Sequence, residues 1–506
     1  MLRALPELPF VVILMGVGAV SMLVPAIYGT VVDEHAASQA FFYSAILFFF
    51  LFLMVALATS NMKIRRQGRS HLISMFLCFV LLPLMLAVPF SEAVPDTRFL
   101  NAYIEMVSSL TTTGMTLFEP ERLPETVHLW RGLVAWMGGF FIWVTAIAIM
   151  APLNLGGFEV TSTGSVGRGA MIHRQSSHHQ VDASQRLRRF GARLLPVYCG
   201  LTAALWIALM LAGDTPFIAF NHAIATISTS GISPVGQISQ SETGFAGELL
   251  ILVFLVFALS RVSFSLYERP EGAAVLVKDP ELRLGIAIIV FFSFILFLRH
   301  WWASFDEGTT VSAIDALRAI WGTLFTVASF LTTTGFESQY WDVARSWSGY
   351  SAPSVLLLGL AVFGGGVATT AGGVKLLRVY ALYRHGLREM EKLVLPSSIG
   401  GSGQDARRFR RQGAYVAWVF FMLFALSIAV VMLALSLTGG LNFEETMILT
   451  ISALSTTGPL TQVAGEAAID LASLNDGAKG ILAAAMILGR LETLAIIALL
   501  NPEFWR

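Results

Sequence analysis

Charge is scarce in this 506-residue chain: Asp, Glu, Lys and Arg make up 13% of it, apolar residues 55%, and the mean hydropathy is +0.70. Water-soluble domains carry roughly 25% charged residues. Half that density cannot cover a globule of this length with hydrated surface. A soluble enzyme is excluded, and so is a disordered or fibrous chain. An excess of one sign is missing too, because 33 basic residues face 33 acidic ones. The total therefore carries no bias toward nucleic acid. Cysteine is nearly absent: Cys78 and Cys199 both fall in apolar stretches and supply neither a disulfide framework nor a zinc site. The sequence has no Walker A lysine motif, and no GxGxxG string follows a strand, so ATP and NAD do not bind by those devices. A polytopic membrane protein remains.

Long apolar runs are what the chain has instead. A helix needs about 20 apolar residues to cross the hydrocarbon core. Ten stretches qualify: 8–30, 40–59, 71–90, 128–152, 192–212, 246–267, 283–302, 351–388, 413–437 and 478–500. The first follows Arg3 as a signal peptide would, but its run exceeds the roughly 7–15 residues of a signal core, and a second span follows. It reads as a membrane helix. The eighth is too long for one crossing and is broken by glycines. Basic residues concentrate at 61–71, at 168–193 with six arginines, and at 375–411 with nine basic residues. Acids fill the alternate connections, among them Asp33, Glu34, Glu119, Glu121, Glu444 and Glu445. The positive-inside rule places the basic loops and both termini in the cytoplasm.

One tetrapeptide recurs. Thr111-Thr112-Thr113-Gly114, Ser228-Thr229-Ser230-Gly231, Thr332-Thr333-Thr334-Gly335 and Ser455-Thr456-Thr457-Gly458 have glycines 117, 104 and 123 residues apart. Each copy lies between two long spans on the acidic side. Each follows a short apolar segment of helical character, at Phe99–Leu110, 217–227, Ala313–Leu331 and Phe443–Leu454. Those segments are expected to be half-helices too short to cross and return. One such tetrapeptide is an ordinary helix end, since glycine ends many helices. Four at corresponding places suggest four quarters of one pore, with backbone at membrane depth tolerated because protein or water surrounds it. Extended backbone and Thr hydroxyls offer a dehydrating cation several oxygens, and Gly permits a positive-φ turn that aims carbonyls inward. Half-helix carboxyl ends add negative potential. Carbonyl rings suit a monovalent cation such as potassium. A divalent site would want converging carboxylates, which the loops lack.

With these residues assembled, the chain resembles the Trk/Ktr/HKT superfamily of potassium transporters, and most of all the bacterial Trk-type uptake subunit. SSLTTTGMT at 108–116 and SFLTTTGFES at 329–338 are similar to that family's first and third filters. KDPELR at 278–283 resembles its junction before the third repeat, GGGVATTAGGVKLLR at 364–378 its broken helix, and ILGRLETL at 487–494 with PEFW at 502–505 its last helix and tail. WMGGFFIW at 136–143 is bulkier than the glycine-rich run expected there. The resemblance implies an all-α fold of four pseudo-symmetric helix–pore-loop–helix repeats around one ion pore, plus an amino-terminal hairpin. It also implies a bacterial inner-membrane location, a homodimer in lipid, a cytosolic nucleotide-binding regulatory ring on the basic loops, and no nucleic-acid partner.

Five glycines, Gly364, Gly365, Gly366, Gly372 and Gly373, crowd one inner helix, where each costs about 1 kcal/mol. The break reads as a mobile loop that blocks the pore from inside, with close helix packing through small residues as the alternative. Arg490 lies in the last span. It either faces the pore as a barrier to cations or snorkels at the cytoplasmic end beside Glu492. Lys375 is a second pore-lining charge or a cytoplasmic-end lysine. Arg261 reads as snorkelling, and His178 with His179 as a weak metal site. His222 and Ser228 have no acidic neighbour in sequence, which argues against an enzyme, and no buried acid for a proton relay stands out, which argues against a coupled carrier. The expected organisation is a hairpin at 1–60, repeats at 61–155, 156–270, 271–395 with the gating loop, and 396–506. The expected function is potassium uptake with K+ as cargo and no organic cofactor on this chain. A sodium- or proton-coupled symporter is the alternative.

Overall fold

The computed structural model describes residues 9–59, 67–151, 157–158, 183–260, 278–303, 313–348, 354–395, 411–465 and 467–492. Among them every regular element is helical. Arg261, His178 and His179 lie outside the described residues, as does most of the basic stretch at 160–193. Three helices come first: α1 (Phe10–Ser21), α2 (Leu23–Val31) and α3 (His35–Thr59). Four groups of one plan follow. The first has α4 (Gln67–Ala93), α5 (Phe99–Leu110) and α6 (Glu125–Thr145), the second α7 (Ala183–Leu211), α8 (Pro216–Ser228) and α9 (Gly244–Leu259). The third has α10 (Pro280–Ala303), α11 (Ala313–Leu331), α12 (Trp341–Ser348), α13 (Ser354–Phe363) and α14 (Leu376–Val394). The fourth has α15 (Arg411–Ser436), α16 (Phe443–Leu454), the short α17 (Leu460–Val463) and α18 (Asp476–Leu491).

Among the described residues, eight helices are long and apolar enough to cross a membrane. The stretches at 246–267 and 478–500 yield described helices of 16 residues each. The stretch at 351–388 is split in two by residues 364–375, which are not helical. Ala313–Leu331 departs from expectation in the other direction. At 19 residues it is itself long enough to span, because its first turns extend outward with Ile314 and Leu317 exposed.

The groups close into a ring. α6 packs on α8, α9 on α11, α13 on α16, and α18 returns to α5. Each group's last membrane helix thus supports the short helix of the next. Small residues set the approach. A methyl group at Gly138 of α6 would sit 2.0 Å from the Leu110 carbonyl oxygen, at the end of α5. The aromatics flanking that glycine have their own work: Trp136, Phe140 and Trp143 surround Tyr198, whose hydroxyl donates to the Trp136 carbonyl at 3.1 Å. The amino-terminal helices are fastened at their outer end. Glu34 accepts from the Glu125 and Thr126 amides at 2.9 and 3.0 Å, capping α6 from outside, and Tyr28 donates to Glu125 at 2.7 Å.

Gly138→Ala is expected to lower the melting temperature in detergent sharply, because the added carbon meets backbone that cannot rotate away. Gly200→Ala, with nothing within 4 Å of the new methyl, is expected to be neutral or stabilising by up to about 1 kcal/mol. Fluorescence-detected thermal melts of the two variants side by side check the difference.

Candidate functional site

Each tetrapeptide is the carboxyl end of a helix finished in the same way. The amide of its third residue donates to a carbonyl five residues back: Thr113 to Ser108 at 2.8 Å, Ser230 to Ala225 at 2.9 Å, Thr334 to Ser329 at 3.0 Å, and Thr457 to Ser452 at 2.9 Å. The second residue's amide reaches three back, which completes a Schellman end. That motif requires a left-handed residue, normally glycine. Here threonine occupies it four times, with φ of 53° at Thr112, 53° at Thr229, 58° at Thr333 and 54° at Thr456. A β-branched residue in that region is strained. Hydroxyls help to hold it. The first residue's hydroxyl donates to the helix carbonyl four back (2.8 Å at Thr111, 2.7 Å at Ser228, 2.9 Å at Thr332, 2.6 Å at Ser455) and lies 2.8–3.2 Å from the third residue's hydroxyl.

The loops meet one another through their glycines. A methyl at Gly114 would fall 1.8 Å from the Ser230 carbonyl oxygen, one at Gly231 2.1 Å from that of Thr334, and one at Gly335 2.8 Å from Pro459. The Gly458 amide donates to the Thr113 carbonyl at 2.6 Å. The first loop touches the second, the second the third, the third the fourth, and the fourth the first. Three of the glycines have positive φ, at 74°, 64° and 83°, as the sequence reading required; Gly458 does not, because Pro459 begins the turn into α17. All the Ser and Thr residues of the four loops are buried. Four helix carboxyl ends converge here, each with its partial negative charge.

Behind the ring stand buried acids that the sequence reading missed. Glu105 pairs with Arg131 at 2.7 Å, and both are almost fully buried. Glu248 accepts from Trp321, Ser338 and the Gln339 amide at 2.6, 2.8 and 2.6 Å. The expectation that His222 lacks an acidic neighbour is overturned: its Nδ1 lies 3.6 Å from Asp214, and its Nε2 lies 3.0 Å from Ser233. Asp214 comes from the turn before α8, eight residues upstream, and folds back onto the helix. Past the third loop, outside the spanning helices, burial and the nearby Asp342 push the Glu337 carboxyl up to about 7, with Arg345 opposing.

Below the ring lies the segment 364–375. Its turns use positive φ at Gly364, Ala368, Gly373 and Lys375. It is bonded to three loops or their helices. The Gly372 amide donates to the Thr333 hydroxyl at 2.7 Å, and the Thr370 hydroxyl to the Ile227 carbonyl at 3.2 Å. A methyl at Gly372 would lie 2.1 Å from the Ser455 carbonyl. Charged side chains hold the segment: Glu281 accepts from the Val367 amide at 2.8 Å and Arg490 donates to the Thr370 carbonyl at 2.7 Å from outside, and Lys375, its last residue, donates to the Ala371 carbonyl. Arg490 is buried, with Nε and Nη2 lacking hydrogen-bond partners. It does not snorkel beside Glu492, which pairs with Arg378 at 2.6 Å. Lys375 is also buried. A cavity of about 20 Å³ remains between the segment, Arg490 and residues 142, 146 and 150, space for a single water. Two of those residues belong to a π-helical turn, Ala146–Met150, that continues α6. Such turns mark functional sites often, but no residue type signals them in sequence.

Comparison with known proteins agrees with this arrangement. The family model TrkH, described as a cation transport protein, matches residues 37–504. The Trk system potassium uptake protein TrkH of Vibrio parahaemolyticus is 28% identical over 502 residues, covering 98% of each chain. The protein of the same name from Salmonella typhimurium is 31% identical over 425 residues, covering 82% of this chain and 81% of that one. The crystal structure of the potassium transporter TrkH from Vibrio parahaemolyticus superposes with a TM-score of 0.81 at 28% identity, covering all of both chains.

Arg131→Met is expected to destabilise strongly, by about 3–5 kcal/mol, because it leaves the Glu105 carboxylate buried without its partner. Glu105→Gln combined with Arg131→Met is expected to recover much of that loss. Melting temperatures of the single and double variants in detergent check the order.

Proposed function

Since the chain belongs to the TrkH family of cation transport proteins, we propose that it takes up potassium across the inner membrane through the ring of four loops, with segment 364–375 as the gate on the inner side. Membership makes it a multi-pass transport protein and not an enzyme. The observation that carries the finer reading is the closed contact of the loops: the third residue's carbonyl of one loop lies against the glycine of its neighbour at three of the four junctions. That closeness supports main-chain oxygens replacing the water shell of a monovalent cation at Thr111, Thr112, Thr113 and Gly114 and at their counterparts in the other loops. A membrane potential drives such a cation inward by about 2.3 kcal/mol per charge per 100 mV.

The gate follows from what holds the segment. A cation leaving the ring meets the backbone of Gly372 and then the Arg490 guanidinium, whose charge opposes it where little water remains. Opening requires the Arg490–Thr370, Gly372–Thr333 and Glu281–Val367 hydrogen bonds to break together. Lys375 and Gly364, Gly365, Gly366 and Gly373 supply the turns about which the segment swings. α14 continues directly from Lys375 toward the cytoplasm and would transmit a pull. This reading extends to the quarters 61–155, 156–270, 271–395 and 396–506 as functional repeats, to a homodimer with one pore per chain, and to a cytosolic nucleotide-binding ring on the basic loops. Potassium is cargo, and the reading needs no organic cofactor on this chain.

Reconstituted protein is expected to give unitary current steps that reverse near the potassium equilibrium potential. A coupled carrier would give none, and that result would overturn the open-pore reading. Arg490→Ala is expected to raise resting potassium current about 10–100-fold, the effect of losing a charge-assisted bond of about 1.5–3 kcal/mol from the closed state. Gly335→Ser, with its side chain driven against Pro459, is expected to collapse the potassium-over-sodium preference in bi-ionic recordings.

A further inference from the structure

Resting on the reading of the ring as the selective element, we propose that the residue nine positions before the loop glycine is a positioning residue for ion discrimination. In three quarters it ties the chain leaving the loop back to the helix that enters it. In the first, Glu105 accepts from the Leu117 amide at 3.0 Å. In the second, His222 Nε2 lies 3.0 Å from the Ser233 hydroxyl. In the third, the Thr326 hydroxyl accepts from the Ser338 amide at 3.3 Å. Glu105, His222 and Thr326 stand at one register, nine residues before Gly114, Gly231 and Gly335. Leu117 and Ser338 are each three residues past the glycine; in the second quarter that place is Pro234, which has no amide proton. His222 reaches one residue nearer instead, to a hydroxyl that also accepts from the Val235 amide at 3.2 Å.

Three unlike side chains make one connection, which separates the geometry from any one chemistry. All three residues are buried, so breaking a tie strips an amide or hydroxyl of its partner without giving it water. Each tie is braced in turn. Arg131 holds Glu105 at 2.7 Å, Asp214 faces His222 at 3.6 Å, and Ser338 donates to Glu248 at 2.8 Å. The His222 ring also lies edge-on to Phe336, with centroids 5.9 Å apart, just past Gly335. The second tie therefore also braces the third loop. The fourth quarter has Leu449 at this register and uses another device: the Ser452 hydroxyl donates to the Thr457 carbonyl at 2.9 Å, and that of Thr461 to the Gly458 carbonyl at 2.9 Å. A loop tethered on both sides resists widening, and a ring that cannot widen or shrink cannot adjust its oxygens to a second ion.

Bi-ionic reversal potentials of the full-length protein in liposomes test this, with melting temperature measured on the same samples. Thr326→Val keeps the shape and removes the acceptor. It is expected to lower the potassium-to-sodium permeability ratio about five- to tenfold, and Thr326→Ser is expected to restore the ratio to within about twofold of wild type. His222→Leu, which copies the fourth quarter's residue, is expected to act like Thr326→Val, with His222→Gln partly restoring selectivity. Leu449→Met serves as the control with an unchanged ratio. A wild-type ratio in both Thr326→Val and His222→Leu, even with lowered melting temperature, would reduce these residues to fold supports and overturn the proposal while leaving the pore reading intact. Wild-type protein that passes no potassium would remove both.

Discussion

Contact between each loop and its neighbour is the constraint on which the molecule depends. Four helices end at one level, and their last residues must approach closely enough that backbone touches backbone. Only glycine permits this at Gly114 and Gly231, where any side chain would strike a carbonyl oxygen. The approach fixes the crossing of the outer helices, because each group's last helix must lean on the next group's short helix to bring the ends together. It also explains the strained threonines. Glycine in the left-handed place would end each helix at less conformational cost, but it would remove the hydroxyl. At Thr333 that hydroxyl accepts from the segment below. In the third loop the strain at φ 58° thus keeps a polar group facing the segment below.

The sequence made the ring legible and left its supports hidden. Repetition of four short motifs exposes any element that must occur four times, so the loops could be read directly, and the broken helix was legible from its crowded glycines. Arg490 stood out as a charge in an apolar run, and its burial follows from that. Glu105, Asp214, Glu248 and Glu281 were not legible, because a carboxylate near the end of an apolar stretch looks the same in sequence whether it faces water or a partner. Except for Asp214, whose His222 is eight residues away, their partners lie far along the chain: Arg131 is 26 residues from Glu105, and Val367 is 86 from Glu281. Pairing over such distances is a property of the closed fold. Helix lengths were hard to read for a related reason. Length alone assigns a helix to the bilayer, and α11 is long although it ends at the ring, while α13 is short because the segment below the ring interrupts it.

Charge is distributed on opposite sides of the ring with different partners. The acids behind the loops accept hydrogen bonds from backbone amides, hydroxyls, the Trp321 indole or the Arg131 guanidinium, so their charge is largely spent on structure. The cations beneath the ring are less fully matched. Arg378 has Glu492 and the face of Phe420, with its guanidinium carbon 3.6 Å from the ring centroid. Arg490 and Lys375 make bonds to backbone carbonyls of the segment itself. A cation bound to a carbonyl keeps more of its field than one paired with a carboxylate. The residues that fasten the segment therefore also place positive charge beneath the ring.

The fourth quarter ends its helix as the other three do but departs from them just after it, and the departures belong together. Gly458 lacks a positive φ because Pro459 turns the chain at once into α17. Pro459 in turn fills the space beside Gly335, where Gly114 and Gly231 face a neighbour's carbonyl. With that space filled, the junction between the third and fourth loops is apolar, and the fourth loop secures itself by donating its glycine amide across to Thr113. A helix directly after the loop makes a tie from the pore helix unnecessary, which accounts for Leu449 where the others carry a polar side chain. The ring is thus three tethered loops closed by a fourth that is wedged into place, and its underside in that quarter is where Gly372 sits against Ser455. The inner segment meets that quarter by close packing at Gly372, while its hydrogen bonds run to the second and third quarters through Thr370 and Thr333.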